Sequence, residues 1–151
     1  MGLKVGTKIP LFTLPDSNGN NFSIQELLGK KPLVIYFYPK NNSPGCTTEA
    51  CDFRDSYEDF VALGAEVIGI SADSAKSHAR FGAKYGLPFI LLSDKHNTVR
   101  KLFKIKNSLL LLPGRETYVI DKTGTVIMVF NSINASEHKK RALKTLLSMN
   151  K

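Results

Sequence analysis

Apolar positions in this chain follow two periods. Leu33-Val34-Ile35-Tyr36-Phe37-Tyr38 is an unbroken apolar run closed by Pro39, the pattern of a strand buried on both faces. Glu66 to Ser71 repeats that pattern, and Phe89 to Leu92 gives a shorter version of it. Between them the spacing lengthens. Ala50, Phe53, Tyr57, Phe60 and Val61 recur at threes and fours with Gly64 as a stop, which predicts one helix. Asp73 or Ser74 caps a second helix that runs to about Tyr85, with Gly86 and Pro88 as terminators, and Val99, Leu102 and Phe103 mark a third, short one. Glu116 to Ile120 and Thr125 to Phe130 read as strands joined by the hairpin signal Asp121-Lys122-Thr123-Gly124. Ser136 caps a final helix with Leu143, Leu146 and Leu147 on one face. Ahead of the first run, Leu11 to Leu14 reads as a short strand followed by a turn at Asp16-Ser17-Asn18-Gly19. Ser23-Ile24-Gln25-Glu26 has capping-box spacing, which predicts a short helix.

From Leu33 onward the order is β-α-β-α-β-α-β-β-α. A βαβ unit with a buried first strand requires parallel pairing, and the closing hairpin requires antiparallel pairing. The expectation is an α/β fold: a mixed central sheet flanked by helices. With 151 residues and no linker or repeat, residues 1–151 form one domain with a core large enough to need no disulfide staples.

Composition narrows the function classes. Hydrophobic residues make up 42% and charged residues 23%, a globular balance. No apolar run approaches the roughly 20 residues that span a bilayer, so no membrane partner is expected. The net charge of +8 permits an acidic partner without naming one. Its one cluster, Lys139-Lys140-Arg141, lacks interleaved aromatics, so a nucleic-acid-binding module stays the weaker alternative and no nucleic-acid partner is expected. Met1 to Pro10 has neither an apolar leader nor an Arg/Ser-rich transit character. The expected location is cytoplasmic, or a plastid if a transit peptide has been removed. Two cysteines and three scattered histidines make neither a secreted disulfide scaffold nor a zinc site, so no metal or other cofactor is expected.

The stretch that carries chemistry is Pro39-Lys40-Asn41-Asn42-Ser43-Pro44-Gly45-Cys46-Thr47-Thr48-Glu49-Ala50-Cys51. It lies where a buried strand gives way to a helix, the place where α/β sheets bind ligands. Cys46 falls in the first helical turn, where unpaired N–H groups and the helix dipole favour a thiolate. The plain alternative is a small buried hydrophobe.

Pro39, Ser43 and Cys46 match the Pro-x-x-x-Thr/Ser-x-x-Cys motif of peroxiredoxins. Pro44-Gly45-Cys46-Thr47-Thr48-Glu49-Ala50-Cys51 closely resembles the peroxiredoxin Q (bacterioferritin comigratory protein) subfamily. Gly114-Arg115-Glu116-Thr117-Tyr118-Val119-Ile120-Asp121, with Leu112-Pro113 before it, resembles that subfamily's arginine-bearing strand. The likeness runs from about Gly6 to Leu147. It implies a thioredoxin-like fold and a thiol-dependent peroxidase that reduces hydrogen peroxide and organic hydroperoxides, with thioredoxin or a similar dithiol as reductant. By the same resemblance Cys46 is the peroxidatic nucleophile, Arg115 the catalytic cation and Glu49 the acid that orients Arg115. Cys51 is the resolving thiol, closing a Cys46–Cys51 disulfide within one monomer.

Chemistry adds detail to these roles. A guanidinium can touch sulfur and peroxide together. Ser43 can cap the helix or donate to the peroxide, and serine in place of the commoner threonine loses the methyl that stiffens the rotamer. Pro39 offers a rigid apolar shield without an N–H. Five positions along an intact helix separate two Cα atoms by about 8–9 Å and point their side chains about 140° apart. A disulfide needs about 4.4–6.8 Å, so the helix start has to unwind. A thioredoxin-like thiol–disulfide oxidoreductase is the alternative within enzymes, and the Cys-x4-Cys spacing argues against it. Leu109 to Leu112 reads either as a covered core segment or as an apolar collar or dimer contact beside the site.

Overall fold

A computed structural model describes residues 2–105, 115–132 and 134–149. Leu109 to Leu112 and Gly114 lie outside the described residues. The chain forms β1 (Thr13–Pro15), β2 (Asn21–Ser23), a 3-10 turn at Ile24–Glu26, β3 (Leu33–Phe37), α1 (Pro44–Asp55), α2 (Tyr57–Ala62), β4 (Glu66–Ser71), α3 (Ala75–Tyr85), β5 (Ile90–Ser93), α4 (Thr98–Leu102), β6 (Glu116–Ile120), β7 (Val126–Asn131) and α5 (Ala135–Met149). β1 and β2 make a separate antiparallel ribbon. The main sheet runs β5-β4-β3-β6-β7. Its β3–β4 and β4–β5 pairs are parallel, and its β3–β6 and β6–β7 pairs are antiparallel. The mixed sheet is the one expected from the element order.

Strand alternation divides the core into two layers. Leu33, Ile35 and Phe37 face one side with Ile68, Ile70, Leu92, Tyr118, Val99 and Phe103. Val34, Tyr36 and Tyr38 face the other with Val67, Phe53, Phe60, Phe81, Ala142 and Leu146. Helices α1, α2, α3 and α5 therefore cover the second face, and α4 with the N-terminal segment covers the first. Both faces of β3 are filled, which is why its sequence shows no alternation. Tyr36 pairs in register with Gly69 on β4. A Cβ on Gly69 would stand 2.8 Å from the Tyr36 ring, so only glycine lets that ring stack on Tyr38 and Phe53.

Several local expectations are corrected. The helix expected from Ala50 to Gly64 is two helices. Ser56 closes α1 and opens α2 at φ −109° and ψ 9°, consistent with a residue whose hydroxyl competes with helical backbone bonds. The Ser23 capping box does not form. Its hydroxyl pairs with that of Thr13 across the β1–β2 ribbon at 2.7 Å, and Ile24 to Glu26 make a single 3-10 turn. Of the two caps expected for α3, Ser74 is the one that forms, accepting from the Ser77 N–H at 3.1 Å. Asn134 rather than Ser136 caps α5, its side-chain oxygen accepting from the Ser136 N–H at 3.2 Å. The buried stripe of α5 is Ala135, His138, Ala142 and Leu146, while Leu147 is exposed. No helix among the described residues is long and apolar enough to cross a membrane.

Candidate active site

The strand-to-helix connection after β3 carries most of the site. Ser43 is the N-cap of α1 in extended backbone and Pro44 is its first residue, where the missing N–H costs nothing. Cys46 is therefore the third helical residue, with unpaired N–H groups around it. α1 buries Cys46, Glu49, Ala50 and Phe53, an i, i+3, i+4, i+7 stripe. This spacing sends the thiol and the carboxyl inward together.

Arg115 enters from the residue before β6 and meets both. Its Nη2 lies 3.4 Å from Cys46 Sγ, and its Nη1 donates to Glu49 Oε1 at 2.5 Å. The Arg115 side chain is 9% exposed and Glu49 is fully buried. Burial pushes the Glu49 carboxyl up from 4.5 to about 8, against the pull of Arg115. Its second oxygen, Oε2, has no hydrogen-bond partner among the described residues. Arg115 is held above its ordinary value: burial opposes the charge, while Glu49 and Cys46 support it and outweigh burial.

Behind Glu49 stands His138 of α5, with Nδ1 3.5 Å from Oε2. The ring bonds Thr117 Oγ1 through Nδ1 at 2.7 Å and the Ser132 carbonyl through Nε2 at 2.9 Å. Burial lowers it from 6.5 to about 4, with Arg115 adding to the fall. The Phe130 ring packs against it, and Arg141 lies over that ring 5.0 Å from its centre. Part of the Lys139-Lys140-Arg141 cluster is thus engaged within the fold, and Lys140 faces Glu137 at 3.8 Å.

The connection itself is fixed from below. Asn41 is buried; its Oδ1 accepts from the Tyr38 hydroxyl at 2.6 Å, its Nδ2 reaches Ser77 Oγ and His78 Nδ1, and its N–H donates to Asp73. Asn42, the next residue, has φ 65°, a left-handed conformation that asparagine tolerates.

The structure thus joins Cys46, Glu49 and Arg115. Ser43 does not cap with its side chain; its hydroxyl donates to the Lys40 carbonyl at 2.9 Å. Pro39 is half-buried at the end of β3. Cys51 is half-buried on the same intact helix as Cys46, and both thiols are free. Sequence reasoning missed His138, Thr117 and Asn41. Only the i, i+3 step from Ala135 to His138 on α5 hinted that the histidine faces inward.

A model of the AhpC/TSA family matches residues 5–129. The chloroplastic peroxiredoxin Q of Sedum lineare is 51% identical over 146 residues, 95% of this chain and 78% of that protein. The chain belongs to the peroxiredoxin Q branch of the AhpC/TSA family. Peroxidoxin BcpB from Mycobacterium tuberculosis superposes with a TM-score of 0.91 at 38% identity, covering 97% of this chain and 98% of that one. Xanthomonas campestris peroxiredoxin Q gives 0.87 at 33%, covering 95% and 98%. The fold is thioredoxin-like, and the chain is a peroxiredoxin Q thiol peroxidase that depends on thioredoxin. That settles the two sequence alternatives, oxidoreductase and nucleic-acid module, in favour of the peroxidase.

Proposed function

We propose that Cys46 is the nucleophile of this peroxidase, Arg115 its catalytic cation and Glu49 the residue that orients Arg115. The observation that carries this reading is the 3.4 Å approach of Arg115 Nη2 to a buried thiol sulfur at a helix start. In the reaction the Cys46 thiolate attacks one oxygen of R–O–O–H. The S–O bond forms as the O–O bond breaks, leaving Cys46–S–OH and R–O⁻, which takes up a proton to give the alcohol or water. Negative charge moves from sulfur to the departing oxygen, and a fixed cation beside both stabilises that transfer. Ser43 and Pro39 line the approach, one with a hydroxyl and the other with an apolar ring.

Cys51 then attacks the sulfenic sulfur, releasing water and forming the Cys46–Cys51 disulfide, which a dithiol of the thioredoxin type reduces by exchange. The two cysteines share one helix, so no second chain is required and a one-domain monomer suffices. The alkyl peroxide reduction activity of the Xanthomonas campestris bacterioferritin comigratory protein supports organic hydroperoxides beside hydrogen peroxide as substrates. The chloroplastic names of the plant relatives support a plastid setting rather than the cytoplasm, which tagging the natural full-length product tests. The test of function is thioredoxin-linked peroxide consumption by the wild type, Cys46→Ser and Cys51→Ser. Cys46→Ser loses all turnover. Cys51→Ser keeps one sulfenic equivalent but no thioredoxin-linked cycle. Turnover by Cys46→Ser overturns the assignment.

A further inference from the structure

We infer that His138 is a positioning residue of the peroxidase site: its Nδ1 faces a proton on Glu49 Oε2, so that Glu49 orients Arg115 without neutralising it. The inference rests on the assignment of Cys46, Arg115 and Glu49 above.

The Ser132 carbonyl can only accept, so His138 Nε2 carries a proton, and burial, which disfavours the charged ring, leaves Nδ1 with a lone pair. Thr117 donates to that lone pair at 2.7 Å. Glu49 Oε2 lies 3.5 Å from the same nitrogen and has no hydrogen-bond partner among the described residues. A bare carboxylate oxygen there would be fully buried against an electron-rich nitrogen, an arrangement that costs free energy. A proton on Oε2 removes the charge from beside Nδ1, and its contact with that nitrogen is a long one because the Thr117 hydroxyl shares the same lone pair. Glu116, the other buried acid nearby, is different: its two oxygens accept from Gly2, Tyr118 and Asn131.

The proton changes what Arg115 can do. Ionised, Glu49 would compete with the Cys46 thiolate for one guanidinium in a buried space, where charges are weakly screened. Neutral, it still accepts from Nη1 and fixes the plane of Arg115, while the positive charge stays available to sulfur and peroxide. The titratable and charged groups around this pair are Cys46 and Asp52 on α1, Tyr36 and Tyr38 on and beside β3, Arg115 and Glu116 at the start of β6, and Lys139 and Lys140 of α5 near Asp52. Burial raises Glu49 and lowers His138, directions that agree with one proton held on the carboxyl.

The test uses the full chain with Cys51→Ser, which leaves Cys46 as its one cysteine. The readouts are the pH midpoint of Cys46 alkylation by iodoacetamide, the single-turnover rate of sulfenic acid formation with hydrogen peroxide, and the melting temperature. Glutamine can reproduce the Nε2 bond to Ser132 but not the Nδ1 contact. Asparagine does the reverse. His138→Gln should raise the alkylation midpoint and slow the peroxide rate about tenfold, as losing an orienting partner does, with little change in melting. His138→Asn should restore most of the rate. If His138→Gln destabilises the fold, Thr117→Val serves instead: it leaves Nδ1 to Glu49 alone and should lower the midpoint. An unchanged midpoint and rate in His138→Gln, a rescue by glutamine instead of asparagine, or a raised midpoint in Thr117→Val overturns the inference. Arg115→Met is run beside them. If it moves neither readout, the underlying assignment fails; if it moves both and His138→Gln moves neither, only the His138 inference fails.

Discussion

A Cβ placed on Gly45 would stand 2.9 Å from Nη2 of Arg115, so the guanidinium occupies the space that any other residue at position 45 would fill. Gly45 lies directly before Cys46, and the missing side chain lets Arg115 come within 3.4 Å of the sulfur. Gly45→Ala should therefore push Arg115 aside and lower the peroxide rate by about tenfold or more, the scale of a small misplacement at a reacting centre. Alanine is the better helix former, so melting should hold or rise. A fall in activity without a fall in stability is the expected signature, read by stopped-flow kinetics and calorimetry.

Arg115→Met keeps the length and apolar stem of the side chain and removes the charge. The peroxide rate should fall by about 10²–10³, as when one donor to a developing anion is lost. Stability should fall as well, because Glu49 Oε1 loses its donor inside the fold, so the rate is read on protein that is still folded. An unchanged rate would assign Arg115 to structure alone.

Oxidation should open the start of α1. Glu49 lies between Cys46 and Cys51, so closing the disulfide draws it out of its pocket between Arg115 and His138. Amide exchange from Thr47 to Phe53 should rise sharply on oxidation, while Leu33 to Phe37 stays protected. Non-reducing gels after one equivalent of peroxide should show no covalent dimer. Equal exchange in both redox states would leave Cys51 needing another role.

Stability should depend on pH through Glu49. Its value in the fold, about 8, lies above its ordinary 4.5, so the folded state binds the proton more tightly. The Glu49 contribution then falls as pH rises from about 4.5 to 8 and is level outside that window. His138, lowered from 6.5 to about 4, works in the opposite sense between about 4 and 6.5. The two offset each other in mildly acid solution, and the loss emerges above about pH 6.5. The difference in unfolding free energy between wild type and Glu49→Gln should decline with pH across the Glu49 window. A difference that rises with pH would show that Glu49 is ionised in the fold.

Asn41→Ala should destabilise the protein by about 1–3 kcal/mol, the cost of leaving buried polar partners unpaired, because the Tyr38 hydroxyl, Ser77 and His78 converge on its side chain. It should also loosen the segment from Pro39 to Ser43 and slow peroxide attack, which urea titration and stopped-flow kinetics measure together.

The sequence by itself determined the sheet, most of the helices and the candidate cysteine. Those are local matters: an apolar run from Leu33 to Tyr38, helical spacing from Ala50 onward, and a Pro-Gly-Cys string at a helix start are each written in adjacent residues. The resemblance to peroxiredoxin Q added Arg115 and Glu49 as partners of Cys46. Tertiary structure decided what distant segments bring to the same point. Arg115 stands 69 positions from Cys46, and the orientation of its guanidinium, the clearance at Gly45 and the approach of Glu49 to His138 depend on α1, β6 and α5 packing together. His138 looked like one of three scattered histidines because its meaning comes from the Thr117 hydroxyl and the Ser132 carbonyl, which no periodicity marks. The split of the long helix at Ser56 and the choice of Asn134 over Ser136 as cap were also decided above the local level. Hydrophobic periodicity records which residues are buried; hydrogen-bond partners are set by directions that exist only once the layers have closed.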